Sequence, residues 1–379
     1  MADGIASIAD VRDRARRRLP RFVFDLVEGA AQDERTADRN RAAWGEAAIL
    51  PRTLSGTNAE PALGCELFGE RFDTPILLAP TGASRMLAPG AETDVAAAAA
   101  AHGVGYLHGT VSGYALPAIG RALGRAPWLQ VYLGADPAQR ERVVADARAN
   151  DVRVLAVTVD VPVFGKRDRD VRWGTTIPLK PNPTMALQMM SRPRWTARFL
   201  RGSLPMATSD VGRVSPFATQ RQILGSLYRV TPDDLRWLRG AWDGPLLVKG
   251  VLHPDDARVA VDLGADGVIV SNHGGRQLDG AASTAEALPG VVAAVGDRAT
   301  VLVDGGIRRG GDALIALALG ADAVLVGRPY LYGLAWKGRA GVERVLEILD
   351  DELRRAMALS GVASPAAARS LDLMERRPH

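Results

Sequence analysis

The sequence predicts a closed (β/α)8 barrel, an α/β fold, with a helical N-terminal extension and a long insertion after the fourth strand. Three observations predict it. From Thr74 onward, eight short apolar runs rich in β-branched residues alternate with helical stretches, and continuous apolar runs suit strands buried on both faces. Polar and charged residues collect just after those runs, as on the C-terminal rim of a TIM barrel. An open doubly wound sheet is the alternative, but it calls for a glycine-rich dinucleotide turn after an early strand, which the sequence lacks.

Residues 1–73 form the extension and lead-in, with helices expected over Ser7–Leu19 and Arg21–Gly45. The barrel spans residues 74–365. Its strands are expected at Ile76–Ala79, Val104–Leu107, Leu129–Leu133, Val154–Val159, Leu246–Val248, Val268–Val270, Val301–Val303 and Ala323–Val326. Helices are expected over Glu92–Ala101, Gln139–Ala149, Pro254–Leu263 and Gly311–Leu319. Pro254-Asp255-Asp256 places a proline and two acids in a first helical turn, a sound start signal.

The insertion, residues 164–230, is basic and apolar. From Trp173 to Ser209 it holds no acidic residue, while Lys180, Arg192, Arg194, Arg198 and Arg201 are interleaved with methionine, leucine and aromatic side chains. That mixture fits an amphipathic membrane-surface segment or a basic lid packed on its own barrel. Residues 366–379 are read as a C-terminal tail.

The bulk numbers narrow the function class. A hydrophobic content of 47% supplies a sizeable core, and 24% charged residues is ordinary for a globular protein. The single cysteine, Cys65, excludes an intramolecular disulfide framework and a multi-cysteine metal site. No metal is expected. The expected location is the cytoplasm, with peripheral attachment to the inner face of a membrane if the insertion binds lipid. Met1–Arg18 lacks the apolar segment of a secretory signal, and no apolar stretch is long enough to cross a bilayer. A net charge of +4 suits anionic ligands, and no aromatic–basic pattern points to nucleic acid.

The rim rule sorts the chemistry-bearing residues. Gln130 and Tyr132 follow the third strand; Thr158, Asp160 and then Lys166-Arg167 follow the fourth. The fifth ends in Lys249 and the sixth in Ser271-Asn272-His273. The seventh ends in Asp304-Gly305-Gly306-Ile307-Arg308 and the eighth in Gly327-Arg328. Glycine-rich turns with arginines at the last two strands make a phosphate site, or else tight turns with solvated arginines. His273 is the only one of five histidines in such a cluster. Asp160 can hold its imidazole, and Arg276 with Arg167 can bind a substrate carboxylate beside that base.

The motifs Leu246-Leu247-Val248-Lys249-Gly250-Val251, Ser271-Asn272-His273-Gly274-Gly275-Arg276-Gln277-Leu278-Asp279 and Asp304-Gly305-Gly306-Ile307-Arg308-Arg309-Gly310 closely resemble the FMN-dependent 2-hydroxy-acid oxidases and dehydrogenases. The resemblance runs from Leu19 to about Gly361. It implies flavin contacts at Ala79, Pro80, Thr81, Gly82, Gln130, Thr158 and Ser271, with Lys249 near flavin N1 and O2. It implies a ribityl and phosphate grip at Asp304, Gly306, Arg308, Gly327 and Arg328. His273 matches the catalytic base, Asp160 its partner, Arg167 and Arg276 the carboxylate arginines, and Tyr132 the tyrosine facing substrate.

Three positions depart from the pattern. Phe24 stands where many relatives carry a substrate-binding tyrosine, Gly109 where a flavin-pocket serine is usual, and Val111 where some carry a tryptophan over the substrate. Phe24 and Val111 are thus the substrate-side departures, and Val111 leaves room for a bulky acid. Arg192-Pro193-Arg194-Trp195 and Gly82 look most like the mandelate and L-lactate dehydrogenases. The resemblance implies a homotetramer, and quinone or O2 as electron acceptor. The expected function is FMN-dependent oxidation of a bulky or aromatic, mandelate-like L-2-hydroxy acid to the 2-oxo acid. The alternatives are a flavin-dependent tailoring oxidase acting on a peptide or natural-product precursor, and a non-redox barrel that binds a phosphate-bearing ligand.

Overall fold

The computed structural model describes residues 4–54, 60–82, 84–175, 182–203 and 228–375. Lys180, the side chain of Arg201 and residues 204–227 of the insertion lie outside the described residues.

After the N-terminal helices come β1 (Ala47–Leu50), then the short antiparallel pair β2 (Cys65–Leu67) and β3 (Glu70–Phe72). The barrel strands follow: β4 (Ile76–Leu78), β5 (Leu107–Gly109), β6 (Trp128–Val131), β7 (Val154–Thr158), β8 (Leu246–Val251), β9 (Gly267–Val270), β10 (Thr300–Val303) and β11 (Ala323–Val326). They pair in parallel in the order β4-β11-β10-β9-β8-β7-β6-β5. A parallel bridge between Leu78 and Tyr106, with Leu78 N donating to Gly105 O at 2.8 Å, closes the ring.

Alternation along each strand explains the continuous apolar runs. Leu77, Leu107, Leu247, Ile269, Leu302 and Leu325 fill the barrel interior, while Ile76, Leu78, Val248, Val268, Val301 and Val324 pack against the surrounding helices. The floor is sealed by β2 and β3. Phe68 and Phe72 each meet Trp128 edge-on with ring centroids 5.6 Å apart. A filled interior leaves the C-terminal rim as the place for a site.

The structure differs from expectation in the extension. The helix expected over Arg21–Gly45 is two helices, Arg21–Glu28 and Arg35–Ala43. Between them Gln32 and Glu34 have φ of 46° and 66°. The break is made by tertiary bonds: Ala31 N donates to Gly275 O at 2.9 Å and Gln32 N to Lys166 O at 2.8 Å. Asp279 then starts the second helix, accepting from Thr36 N at 2.8 Å and Asp33 N at 3.2 Å. Strand β5 also begins three residues later than expected, because Tyr106 is spent on the closing bridge. The segment read as a tail contributes β12 (Asp372–Glu375), which pairs antiparallel with β1.

The described part of the insertion forms helices over Asp168–Trp173, Pro183–Met190 and Pro193–Ser203. Trp195 docks it on the body, donating to Met86 O at 2.9 Å and meeting Phe22 edge-on at 6.0 Å. Leu187, Met190 and Leu200 remain exposed. Among the described residues, no helix is long and apolar enough to cross a membrane.

Candidate active site

Residues at the C-terminal ends of the barrel strands converge on the rim. His273 sits just after β9 with φ of 59°, and its N–H donates to Ser271 Oγ at 3.0 Å. This turn aims the imidazole at the β7 loop, where Nδ1 lies 3.1 and 3.2 Å from the two carboxylate oxygens of Asp160. Burial pushes the Asp160 carboxyl up, but the charge and hydrogen bond of His273, with Lys249 nearby, outweigh it and hold the group below its ordinary value.

The two carboxylate-binding candidates are each held along one edge. Arg276 uses Nη1 alone, donating to Leu26 O at 3.0 Å and Gly29 O at 2.7 Å. Arg167 uses Nε, donating to Asp170 Oδ2 at 2.6 Å. Burial, then the charges of Arg167 and Arg328, push Arg276 down to about 9. A site that crowds three guanidiniums is one that an anion stabilises. Tyr132 stands half-buried beside them, and desolvation with the charge of Asp160 pushes its hydroxyl up, so it stays a protonated donor.

A buried polar row runs along the neighbouring strand ends. Gln130 Nε2 donates to Thr158 Oγ1 at 2.8 Å. Lys249 Nζ donates to Ser271 Oγ at 2.8 Å and pairs with Asp304 Oδ2 at 3.0 Å. Asp304 Oδ1 is buried with no partner among the described residues. An orphaned acceptor beside a buried cation fits a hydroxylated cofactor chain, because an unmade buried hydrogen bond is unfavourable by about 1–3 kcal/mol. Thr81 Oγ1 lies 2.6 Å from Tyr330 Oη, whose hydroxyl donates to Ala79 O at 2.8 Å and so fixes the Ala79-Pro80-Thr81-Gly82 turn.

The phosphate turns are more occupied than the sequence suggests. Gly306, at φ of 83°, must be glycine because a Cβ would fall 1.9 Å from Asn40 O. Its demand is therefore packing against the Arg35–Ala43 helix. Arg328 donates to Val27 O at 3.0 Å, Gly274 O at 2.9 Å and Gly29 O at 3.0 Å, leaving two of its five N–H groups for an anion. Arg308 donates to Ile307 O at 2.8 Å, and Gly327 borders Ala79 and Thr81.

On the substrate side, Val111 lies against Gly82, and a Cβ at Gly82 would sit 3.2 Å from Val111 O. Phe24 is placed in the core, stacked on Tyr332 at 6.4 Å with the Arg12 guanidinium 5.5 Å from its ring.

The sequence reading missed Asn40, Gln277 and Asp279. Asn40 and Asn272 exchange side-chain amide bonds at 2.7 and 2.8 Å, and Asn272 Oδ1 also accepts from Gly275 N at 3.1 Å. Gln277 and Asp279 stood in the quoted motif, so the signal was present. Asn40 has no local sequence signal.

The model of the FMN-dependent dehydrogenase family matches residues 15–374. The chain belongs to this family. An L-lactate dehydrogenase of Caulobacter vibrioides is 42% identical over 381 residues, covering 99% of each chain. One from Xanthomonas campestris is 40% identical over 368 residues, covering 96% of this chain and 95% of its own. Among solved structures, mandelate oxidase matches with a TM-score of 0.84 at 37% identity, over 98% of this chain and 99% of that one. A monotopic membrane protein, (S)-mandelate dehydrogenase, matches with a TM-score of 0.89 at 34% identity, over 98% and 100%. This family member is an FMN-dependent 2-hydroxy-acid oxidoreductase on a (β/α)8 barrel.

Proposed function

We propose that His273 is the base that takes the substrate's proton, with Asp160 stabilising the imidazolium and Arg276 and Arg167 binding the carboxylate. The observation that carries this is the convergence of one histidine–carboxylate pair with two arginines, each anchored along one edge and keeping N–H groups for an anion. Tyr132 donates to the substrate oxygen from its half-buried position beside these groups. FMN, when bound, supplies the two-electron acceptor.

The residues assigned to it are Ala79, Pro80, Thr81, Gly82, Gln130, Thr158, Lys249, Ser271, Asp304, Gly306, Arg308, Gly327 and Arg328. Lys249 contributes fixed positive charge where electrons arrive. Asp304 Oδ1 would accept a hydroxyl of the cofactor chain, and the remaining N–H groups of Arg328, with Arg308, would hold its phosphate.

The substrate is a bulky or aromatic L-2-hydroxy acid. Val111, packed against Gly82, is smaller than the tryptophan some relatives carry there, and Phe24 brings no hydroxyl to the carboxylate. The solved mandelate enzymes support this reading, and the lactate dehydrogenases make lactate its competitor. Anaerobic FMN bleaching across lactate, mandelate, 4-hydroxymandelate and long-chain hydroxy acids decides the matter. Faster bleaching by mandelate than by lactate supports the reading; the reverse order overturns it. No bleaching by any free acid would point to a peptide-bound or otherwise elaborated substrate.

The electron acceptor is a membrane quinone, reached through peripheral contact of the insertion. Exposed Leu187, Met190 and Leu200 stand beside exposed Arg194 and Arg198, a pairing suited to an anionic lipid surface. Reduced enzyme that reoxidises faster with a soluble quinone than with O2 is the expected result.

A further inference from the structure

The residue after Arg276 has used up its donors in a way the catalytic roles do not explain. Gln277 Nε2 donates to Asp160 O at 2.8 Å and to Val163 O at 2.9 Å, while Gln277 Oε1 accepts from Gly165 N at 3.2 Å. One amide therefore ties three backbone groups of the loop that carries Asp160 at its start and Arg167 at its end. Both Nε2 donors are spent, so none is left for a substrate. The seam is also sterically closed. A Cβ at Gly165 would fall 2.2 Å from Arg276 O and 2.6 Å from Gln277 O, so the loop and the His273–Gln277 segment run in direct backbone contact.

We propose that Gln277 is a positioning residue for the reaction: its amide sets the spacing between Asp160 and His273 and the aim of Arg167, without touching substrate. The loop supplies one half of the base pair and one of the two carboxylate clamps. The segment containing Gln277 supplies the other half of each. A displacement between the two by a fraction of an ångström degrades both functions together, and misplacements near 1 Å lower rates about 100-fold. The inference rests on the assignment of His273 as base and Asp160 as its partner.

The test uses the FMN-loaded enzyme and its best-reducing acid. Gln277→Met is neutral and matched in size, and removes both donors and the acceptor. Gly165→Ala opens the same seam without altering Gln277. In both, the plateau rate of anaerobic FMN reduction should fall about 100-fold. The acid limb of the rate–pH profile should move to lower pH, because an imidazolium that loses its carboxylate is less stabilised. Lys249, Arg167, Arg276 and Tyr132, which share the field of this pair, are retained in both variants.

A slower plateau with the acid limb unmoved would make the bridge merely structural and overturn the proposal. An unchanged rate would do the same, as would failure of Gln277→Met to fold or hold FMN. The underlying site reading is tested separately by His273→Asn. Normal reduction there would sink the base assignment, while faster hydrogen exchange over residues 160–166 in Gln277→Met reads the bridge without any chemistry.

Discussion

Asp160 meets the Nδ1 edge of His273 with both carboxylate oxygens, at 3.1 and 3.2 Å, across 113 residues of chain. Nε2 has no protein partner among the described residues. Asp160 is held below its ordinary pKa despite burial, so it is a carboxylate at neutral pH and would favour the imidazolium that the proposed proton transfer forms. His273→Asn should keep FMN bound and slow anaerobic reduction by roughly 10²–10⁴-fold. Asp160→Asn should slow it less and shift the acid limb of the profile downward. Stopped-flow absorbance of the flavin checks both, and reduction at the normal rate in His273→Asn rules out its role.

The N-terminal helix makes stability depend on acid. Burial raises the Glu28 carboxyl, but the Arg12 guanidinium at 2.8 Å and the Tyr332 hydroxyl at 2.5 Å outweigh it and hold the group at about 2, against 4.5 when free. A carboxyl whose folded pKa is depressed contributes stability above its unfolded value, and that contribution is lost as pH falls toward the folded one. The displacement is worth roughly 3 kcal/mol. In urea unfolding, wild type should exceed Glu28→Gln most above pH 4.5, with the gap closing toward pH 2. A gap independent of pH would show that the charge is not what binds Arg12 and Tyr332.

Val111 offers a direct control of substrate size. It lies against Gly82 on the rim. Val111→Trp should fill that space and disfavour mandelate relative to lactate by about 10–100-fold in kcat/KM, the range a hydrophobic pocket discriminates. An unchanged ratio would place the substrate's side chain elsewhere.

Much of this architecture is legible in the chain because burial on both strand faces demands unbroken apolar runs, and strand ends then list the rim. Asp160, Lys249 and His273 are found that way. The break after Glu28 is not. Gly29-Ala30-Ala31-Gln32 carries no proline or turn dipeptide, and its conformation is imposed by Gly275, Arg276 and Arg328, which lie some 250 to 300 positions later. Asn40 is hidden for the same reason: its partner Asn272 is 232 residues away. Local propensity cannot register a bond whose other half is distant in sequence.

That amide pair predicts its own phenotype. Asn40→Ala strips Asn272 of a buried partner on each side of its amide and removes the acceptor that Thr284 N uses at 3.2 Å. Asn272 keeps Ala282 O and Gly275 N, so the loss falls mainly on Thr284 N, and unfolding free energy should drop by about 1–3 kcal/mol. Because Asn272 Oδ1 also holds Gly275 N, the loop bearing His273 loosens and FMN reduction slows as well. Denaturation and reduction rates measured on one preparation check this. A destabilised variant with unchanged reduction would show that the loop is set by its other contacts.

The insertion's outer face is the remaining element that the barrel does not use. Leu187 and Met190 are three residues apart on one helix and so share a face, at 63% and 69% exposure. Leu200 is exposed on the next helix, where Arg194 and Arg198 are exposed too, and Trp195 anchors that helix to Met86 and Phe22. Apolar side chains beside exposed guanidiniums bind an anionic bilayer by two separable terms, burial and charge. Replacing Leu187, Met190 and Leu200 together by Asp should abolish co-sedimentation with vesicles containing anionic phosphatidylglycerol. Arg194→Glu with Arg198→Glu should weaken it and remove most of its salt dependence. FMN reduction by substrate should be unaffected in both sets, since none of these residues belongs to the rim. Wild-type enzyme that stays in the supernatant with such vesicles at low salt would rule out lipid as the partner of this face.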